Sequence, residues 1–167
     1  MKVLLVRHAE AVDPAVFRGD DGNRPLTRRG RAAAERLFCF LAAGVPRPDA
    51  VFSSQALRAR QTAALLKKRL GGPAPVATPR LNPGATFDDF RRILKACPEQ
   101  QAYIALVGHE PDMGLLASYF LTGNLNAAIP FKKAGLCRMR LQGLSPFLPG
   151  ELKWMLTPKI LALAGKK

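Results

Sequence analysis

The sequence holds two histidines, and each stands at the end of an apolar run. His8 comes after VLLV (3–6) with Arg7 between them, and His109 comes after YIALVG (103–108). A second arginine, Arg58, falls in the first turn of QALRARQTAALLKKRL (55–70), directly after DAVFSS (49–54). Two guanidiniums can hold a tetrahedral dianion through paired hydrogen bonds. An imidazole in line with phosphorus can act as nucleophile, forming a covalent phosphohistidine that water later cleaves. The arginines would neutralise the equatorial oxygens of the transition state. They would also disfavour imidazolium, leaving His8 able to attack. The plain alternative is a set of unrelated solvated polar side chains. Against it, the arrangement uses every histidine in the chain.

Such a cluster needs elements that bring distant residues together. KVLLV, DAVFSS and YIALVG read as short strands, two of them apolar enough to be buried on both faces. Residues 13–26 hold Asp, Gly, Asn and Pro and read as a loop. Thr27 is placed to cap a helix over RRGRAAAERLFCFLAA, which Gly44 and Pro46 end. QALRARQTAALLKKRL is a second helix, stopped by Gly71-Gly72-Pro73. A short strand is expected at 75–78. Thr86 to Asp89 forms a capping-box pattern opening a helix with Phe87, Phe90, Ile93 and Leu94 on one face. Pro111 suits the first turn of DMGLLASYFL. LCRMRL and ELKWML read as two further strands before a basic tail. Strands alternating with helices predict an α/β domain with a mostly parallel central sheet, spanning 1–167 as one unit.

In open parallel sheets, sites lie beyond the carboxyl ends of strands. Arg7, His8, Arg58 and His109 are all predicted at that edge. Helix N-termini near Gln55 and Pro111 would aim backbone N–H groups at the same edge.

Composition narrows the partners. Twenty-six basic and 12 acidic residues give a formal charge of +14, a field that attracts anions without choosing among them. Three cysteines, Cys39, Cys97 and Cys137, are widely spaced with no C-x-x-C. They suit a reducing compartment and are expected as small buried hydrophobes. With no secretory h-region or membrane span legible, a cytoplasmic location is expected. A cysteine phosphatase needs an arginine six places after its cysteine, and those places hold Val45, Tyr103 and Gly143. Neither a phosphate-cradling G-x-x-x-x-G-K-[ST] loop nor a His-rich metal centre can be drawn from this sequence.

LLVRHAEA, SSQALRARQTA and LVGHEPDM resemble, in order, the signature blocks of the histidine phosphatase (phosphoglycerate mutase-like) superfamily. RPLTRRG (24–30) and WMLTPK (154–159) are similar to its small SixA-type phosphohistidine phosphatases. The resemblance implies a three-layer αβα sandwich, His8 as the phosphorylated nucleophile, and Arg7, Arg58 and His109 as the phosphate pocket. It implies no cofactor and no metal. Two departures sharpen it. Only 50 residues separate Arg58 from His109, which leaves no room for a lid and predicts a shallow, open pocket. Mutase-type members carry R-L-N-E, with the Glu as general acid, where this chain reads RLNP and places Pro83. Asp88 and Glu110 are the carboxylates that could replace it, with a helix-cap role and a helix-terminal charge as their plain alternatives.

A positioned acid speeds departure of an alkoxide by roughly 10²–10⁴-fold. An imidazole, whose conjugate acid titrates near ~6.5, needs it far less. The expected activity is therefore metal-independent dephosphorylation of phosphohistidine on a protein, such as a histidine phosphotransfer carrier, by a monomer. A phosphatase for a small phosphoester or nucleotide is the second reading. A non-catalytic binder of polyanions is the third, motivated by Arg28-Arg29-Arg31, Lys67-Lys68-Arg69, Arg91-Arg92, Lys132-Lys133 and Lys166-Lys167. Nucleic acid is disfavoured, because few aromatics accompany these clusters.

Overall fold

The computed structural model describes residues 1–97, 102–144 and 147–164. Strand β1 (Lys2–Arg7) lies centrally in a six-stranded sheet of order β3-β2-β4-β1-β5-β8. Strands β2 (Ala50–Ser53), β3 (Val76–Ala77) and β4 (Tyr103–Gly108) join β1 as the parallel part. Strands β5 (Leu136–Arg140) and β8 (Glu151–Leu156) extend it antiparallel.

Burial on both faces explains the continuous apolar runs. Leu4 and Val6 of β1, with Ala105 and Val107 of β4, face one core. That core is closed by Ala34, Leu37 and Phe38 of α1 (Arg28–Ala42) and by Ala59, Ala63 and Leu66 of α2 (Leu57–Leu70). The alternate residues Val3, Leu5, Ile104 and Leu106 face a second core. There they meet Phe90, Ile93 and Leu94 of α3 (Phe87–Lys95) and Met113, Leu116 and Phe120 of α4 (Asp112–Thr122). The result is the three-layer αβα sandwich with a mostly parallel sheet.

The local signals act as the sequence predicts. Thr27 accepts a hydrogen bond from Gly30 N at 2.9 Å. Thr86 and Asp89 form a full capping box. A side chain at Gly30 would collide with the Glu10 carbonyl, so this glycine lets α1 start directly against the chain leaving β1.

Three expectations need correction. The basic tail is in part a helix, α5 (Pro158–Ala164), whose Leu161 packs on the α1 side of the sheet. Thr157 accepts from Ile160 N at 3.3 Å and Pro158 stands first in the helix, a start signal the basic character obscured. Lys166-Lys167 lies outside the described residues. A small hairpin, β6 (Gly143–Leu144) with β7 (Phe147–Leu148), separates β5 from β8. Finally, Cys97 and Cys137 are buried but Cys39 is exposed, on the outer face of α1.

Candidate active site

Register brings the two histidines level. In the parallel β1–β4 ladder, Arg7 is opposite Gly108, so the next residues, His8 and His109, leave the sheet side by side. His8 N still donates to Gly108 O at 2.9 Å, extending the pairing one step. The rings meet edge-on with centroids 5.0 Å apart at 61°. Ser53 of β2 is opposite Val107, so Ser54 leaves at the same level and leads into α2, which carries Arg58 in its first turn. Arg58 is only 4% exposed. Neither α2 nor α4 has a side-chain cap at its N-terminus.

Each of these side chains is held. His8 Nδ1 lies 2.7 Å from Ala9 O. A carbonyl only accepts, so Nδ1 carries the proton and Nε2 keeps its lone pair. Ala9 N donates in turn to Thr62 Oγ1 at 3.1 Å, and that hydroxyl donates to Arg58 O at 2.7 Å. Thr62 thus ties the Ala9 backbone, whose carbonyl holds His8, to the arginine helix. Arg7 Nη1 donates to Phe131 O at 2.6 Å. Arg58 Nη1 donates to Asp21 O at 2.7 Å, and its Nη2 lies 2.9 Å from Asp21 Oδ2. The Nε atoms of both arginines are buried without a hydrogen-bond partner among the described residues. Buried orphan donors of this kind call for an anion.

His109 Nε2 lies 2.8 Å from Ser54 Oγ. That hydroxyl donates to Asn82 Oδ1 at 2.9 Å and accepts from Ala56 N at 3.1 Å. Its proton is therefore committed, and His109 Nε2–H donates to it. Asn82 is oriented by Gln55, whose N donates to Oδ1 and whose Oε1 accepts from Nδ2.

Burial pushes the His8 imidazolium down to about 4; its bond to Ala9 opposes this, and Arg58 and Arg7 reinforce it. Burial likewise pushes His109 down to about 3, reinforced by His8 and Arg58. Both rings are thus neutral at pH 7. The arginines were expected to keep His8 unprotonated; desolvation is the larger cause and the guanidiniums the smaller.

A cavity of about 350 Å³ opens beside Arg58, lined by Asp21, Gln55, Asn82 and Pro83 among others. A family profile described as histidine phosphatase superfamily (branch 1) matches residues 3–83. An uncharacterised protein of Picosynechococcus sp. is 33% identical over 143 residues, covering 84% of this chain and 85% of the relative. A crystal structure described as a candidate phosphohistidine phosphatase SixA, from Agrobacterium tumefaciens, is 29% identical with a TM-score of 0.78. It covers 94% of this chain and 97% of that one.

This chain belongs to the histidine phosphatase superfamily.

Within that superfamily it is of the SixA type. A structure of the protein histidine phosphatase SixA complexed with tungstate matches its fold with a TM-score of 0.83 at 24% identity, covering 96% of this chain and 99% of that one. Arg7, His8, Arg58 and His109 all stand at the carboxyl edge of the parallel strands, where the sequence reading put them. The two candidate acids are placed differently from one another. Asp88 is exposed in the first turn of α3, paired with Arg91 at 3.0 Å, and does not line the cavity. Glu110 Oε1 accepts from Phe131 N at 3.1 Å, in the loop whose carbonyl holds Arg7, while its Oε2 is buried with no hydrogen-bond partner among the described residues.

Sequence reasoning missed Asp21, Ser54, Asn82 and Thr62. Ser54 and Thr62 lie inside the SSQALRARQTA block, and Asn82 precedes Pro83, so adjacency was the available signal. Asp21 opens a short 3-10 turn (Asp21–Asn23) capped by Asp20, and no longer periodic pattern places that turn against α2. Partial burial opposes its ionisation, but the hydrogen bond from Arg24 and the charge of Arg58 outweigh this and hold its carboxyl below the usual range.

Proposed function

We propose that this histidine phosphatase removes the phosphoryl group from phosphohistidine on a partner protein, using His8 as nucleophile and no metal. The observation that carries the reading is the state of the one carboxylate lining the cavity beside Arg58. Asp21 is bound to Arg24 and Arg58 and is ionised at neutral pH, so it cannot supply a proton to a departing alkoxide. Glu110 binds Phe131 N through Oε1 and does not line that cavity, and Pro83 stands where the resemblance would place an acid.

A phosphohistidine substrate needs no such donor. Its ring, protonated on the far nitrogen, leaves as neutral imidazole. His8 Nε2 forms a bond to phosphorus as the substrate N–P bond breaks, and His8 keeps its Nδ1 proton on Ala9 O. One N–P bond replaces another, with no net proton transfer. Arg7 and Arg58 take the equatorial oxygens as negative charge spreads over them. His109, edge-on to His8, closes the pocket. Water then attacks phosphorus, the N–P electron pair returns to Nε2, and the proton of water leaves with the phosphate.

The test uses EDTA-treated enzyme, a phosphorylated histidine phosphotransfer domain and an alkyl phosphate. Fast turnover of the carrier is expected, with ³²P trapped on His8 in a rapid quench and none in His8→Ala. Preference for the alkyl phosphate would replace this reading with a small-phosphoester phosphatase. Unchanged turnover by His8→Ala would end it.

A further inference from the structure

A groove of about 1080 Å³ starts at Arg7, the residue that caps one side of the candidate site, and runs between α1 and α5. One wall is an α1 face carrying Arg29, Ala33 and Arg36 at helical spacing. The other is α5, which presents Ile160 and Leu163 to solvent, 50% and 62% exposed. Lys132, Lys133 and Lys159 stand around it, all exposed. Its ionisable lining is six cations, counting Arg7, against the single carboxylate Glu10, which Arg29 already pairs.

We infer that this groove is the docking face for the phosphorylated protein, and that it takes an acidic amphipathic helix with the phosphohistidine next to Arg7. The inference rests on the phosphohistidine reading above and names the partner's recognised surface. Three features select that occupant. The apolar pair Ile160 and Leu163, three residues apart, matches the stripe of an amphipathic helix. The unopposed lysines and arginines on both sides match carboxylates flanking the stripe. Among the described residues the lining holds no aromatic side chain, so a nucleic acid would find charge but no stacking platform there. The groove is also continuous with the site at Arg7, so a helix lying in it delivers its side chain to His8 without a lid.

The probes are two synthetic helical peptides of about 16 residues, long enough to hold some helix. Each carries one phosphohistidine and a Leu/Ile stripe, flanked by Glu in one and by Gln in the other. Wild-type enzyme should hydrolyse the Glu peptide with kcat/KM roughly tenfold higher at low salt, mostly through KM. Lys132→Glu/Lys133→Glu/Lys159→Glu should erase or invert that preference while leaving hydrolysis of free phosphohistidine unchanged. Ile160→Gln/Leu163→Gln should raise KM for both peptides. Fluorescence anisotropy with the unphosphorylated Glu peptide reads the groove without the chemistry: binding should be measurable in wild type and lost in the lysine variant. Equal rates on the two peptides, or a Glu preference that survives the lysine reversal, would overturn the docking face. So would a single-stranded oligonucleotide that binds more tightly than the peptide and is displaced by the same reversal. Failure of the phosphohistidine reading looks different: no peptide is cleaved and an alkyl phosphate is, while peptide binding still reports on the groove.

Discussion

The two sides of the candidate site are built unequally. On the side of His8, both rings and Arg7 are oriented by buried partners: Ala9 O on Nδ1, Phe131 O on Arg7, Ser54 on His109. On the side of Asn82 and Pro83, the cavity is lined by amides, backbone and one ion-paired carboxylate. The first side can bind and attack phosphorus. Among the described residues lining the second, the carboxylate is Asp21, held ionised by its arginines. On the phosphohistidine reading proposed above, the contrast suits a substrate whose leaving group departs without help.

Removing a fixed cation from the first side has the largest expected effect. Arg58→Ala should lower kcat/KM by about 10²–10³-fold on every phosphorylated substrate, the loss typical of one oxyanion donor. Arg58→Lys should recover only part, since an ammonium cannot place two N–H groups in a fork. A loss confined to one substrate class would show that Arg58 contacts the leaving group, and the division of the site into two sides would fail.

The dryness of the first side has a cost in acid. In the unfolded chain both histidines titrate near ~6.5, while in the fold His8 is held to about 4 and His109 to about 3. Above about pH 6.5 neither state takes up these protons, and stability is indifferent to them. As pH falls below that, the unfolded chain binds protons that the fold refuses, and stability drops until the folded rings titrate. The slope approaches about 1.4 kcal/mol per pH unit for each ring. Denaturant midpoints should therefore fall steeply from neutral pH toward about pH 5, and the double variant His8→Gln/His109→Gln should flatten that fall. Ring resonances that titrate near ~6.5 in the folded protein would show that the site is wet.

The first side was legible in the sequence and the second was not, for a physical reason. Strand-end residues announce themselves, because a buried strand is an apolar run with a sharp end, and parallel register then aligns Arg7-His8 with Gly108-His109. Capping signals at Thr27 and Thr86 are equally local. Asp21 depends on where an irregular loop folds back onto α2, which no period encodes. Glu110, adjacent to His109 in sequence, places one carboxylate oxygen on Phe131 N, a contact that only the fold supplies. The antiparallel edge follows the same rule. Strands β5 and β8 could be read from pattern, whereas α5, only seven residues long, was hidden by its lysine.

Supplying the missing function to the second side should produce a gain. Pro83 is exposed and lines the cavity beside Arg58. Pro83→Glu places a carboxyl there and should raise hydrolysis of an alkyl phosphate by about tenfold, the low end for a general acid. Phosphohistidine turnover should barely change. Equal gains on both substrates would mean that the new carboxylate acts on water or on binding, and that departure of the alkoxide was never limiting.

The smallest effect expected is at Asp21, where the two sides meet. Its backbone carbonyl and its carboxylate both hold Arg58, so Asp21→Asn keeps the carbonyl bond and a side-chain acceptor while removing a negative charge. In the native protein that charge competes with the phosphoryl dianion for the guanidinium. More than half of the Asp21 side chain is exposed, so solvent screens the competition and the gain is small. Inorganic phosphate should inhibit Asp21→Asn a few-fold more strongly than wild type, with kcat for phosphohistidine little altered. If kcat instead falls by about 10²-fold or more, the carboxylate handles a proton or orients the attacking water, and the second side is better equipped than its ion pairs suggest.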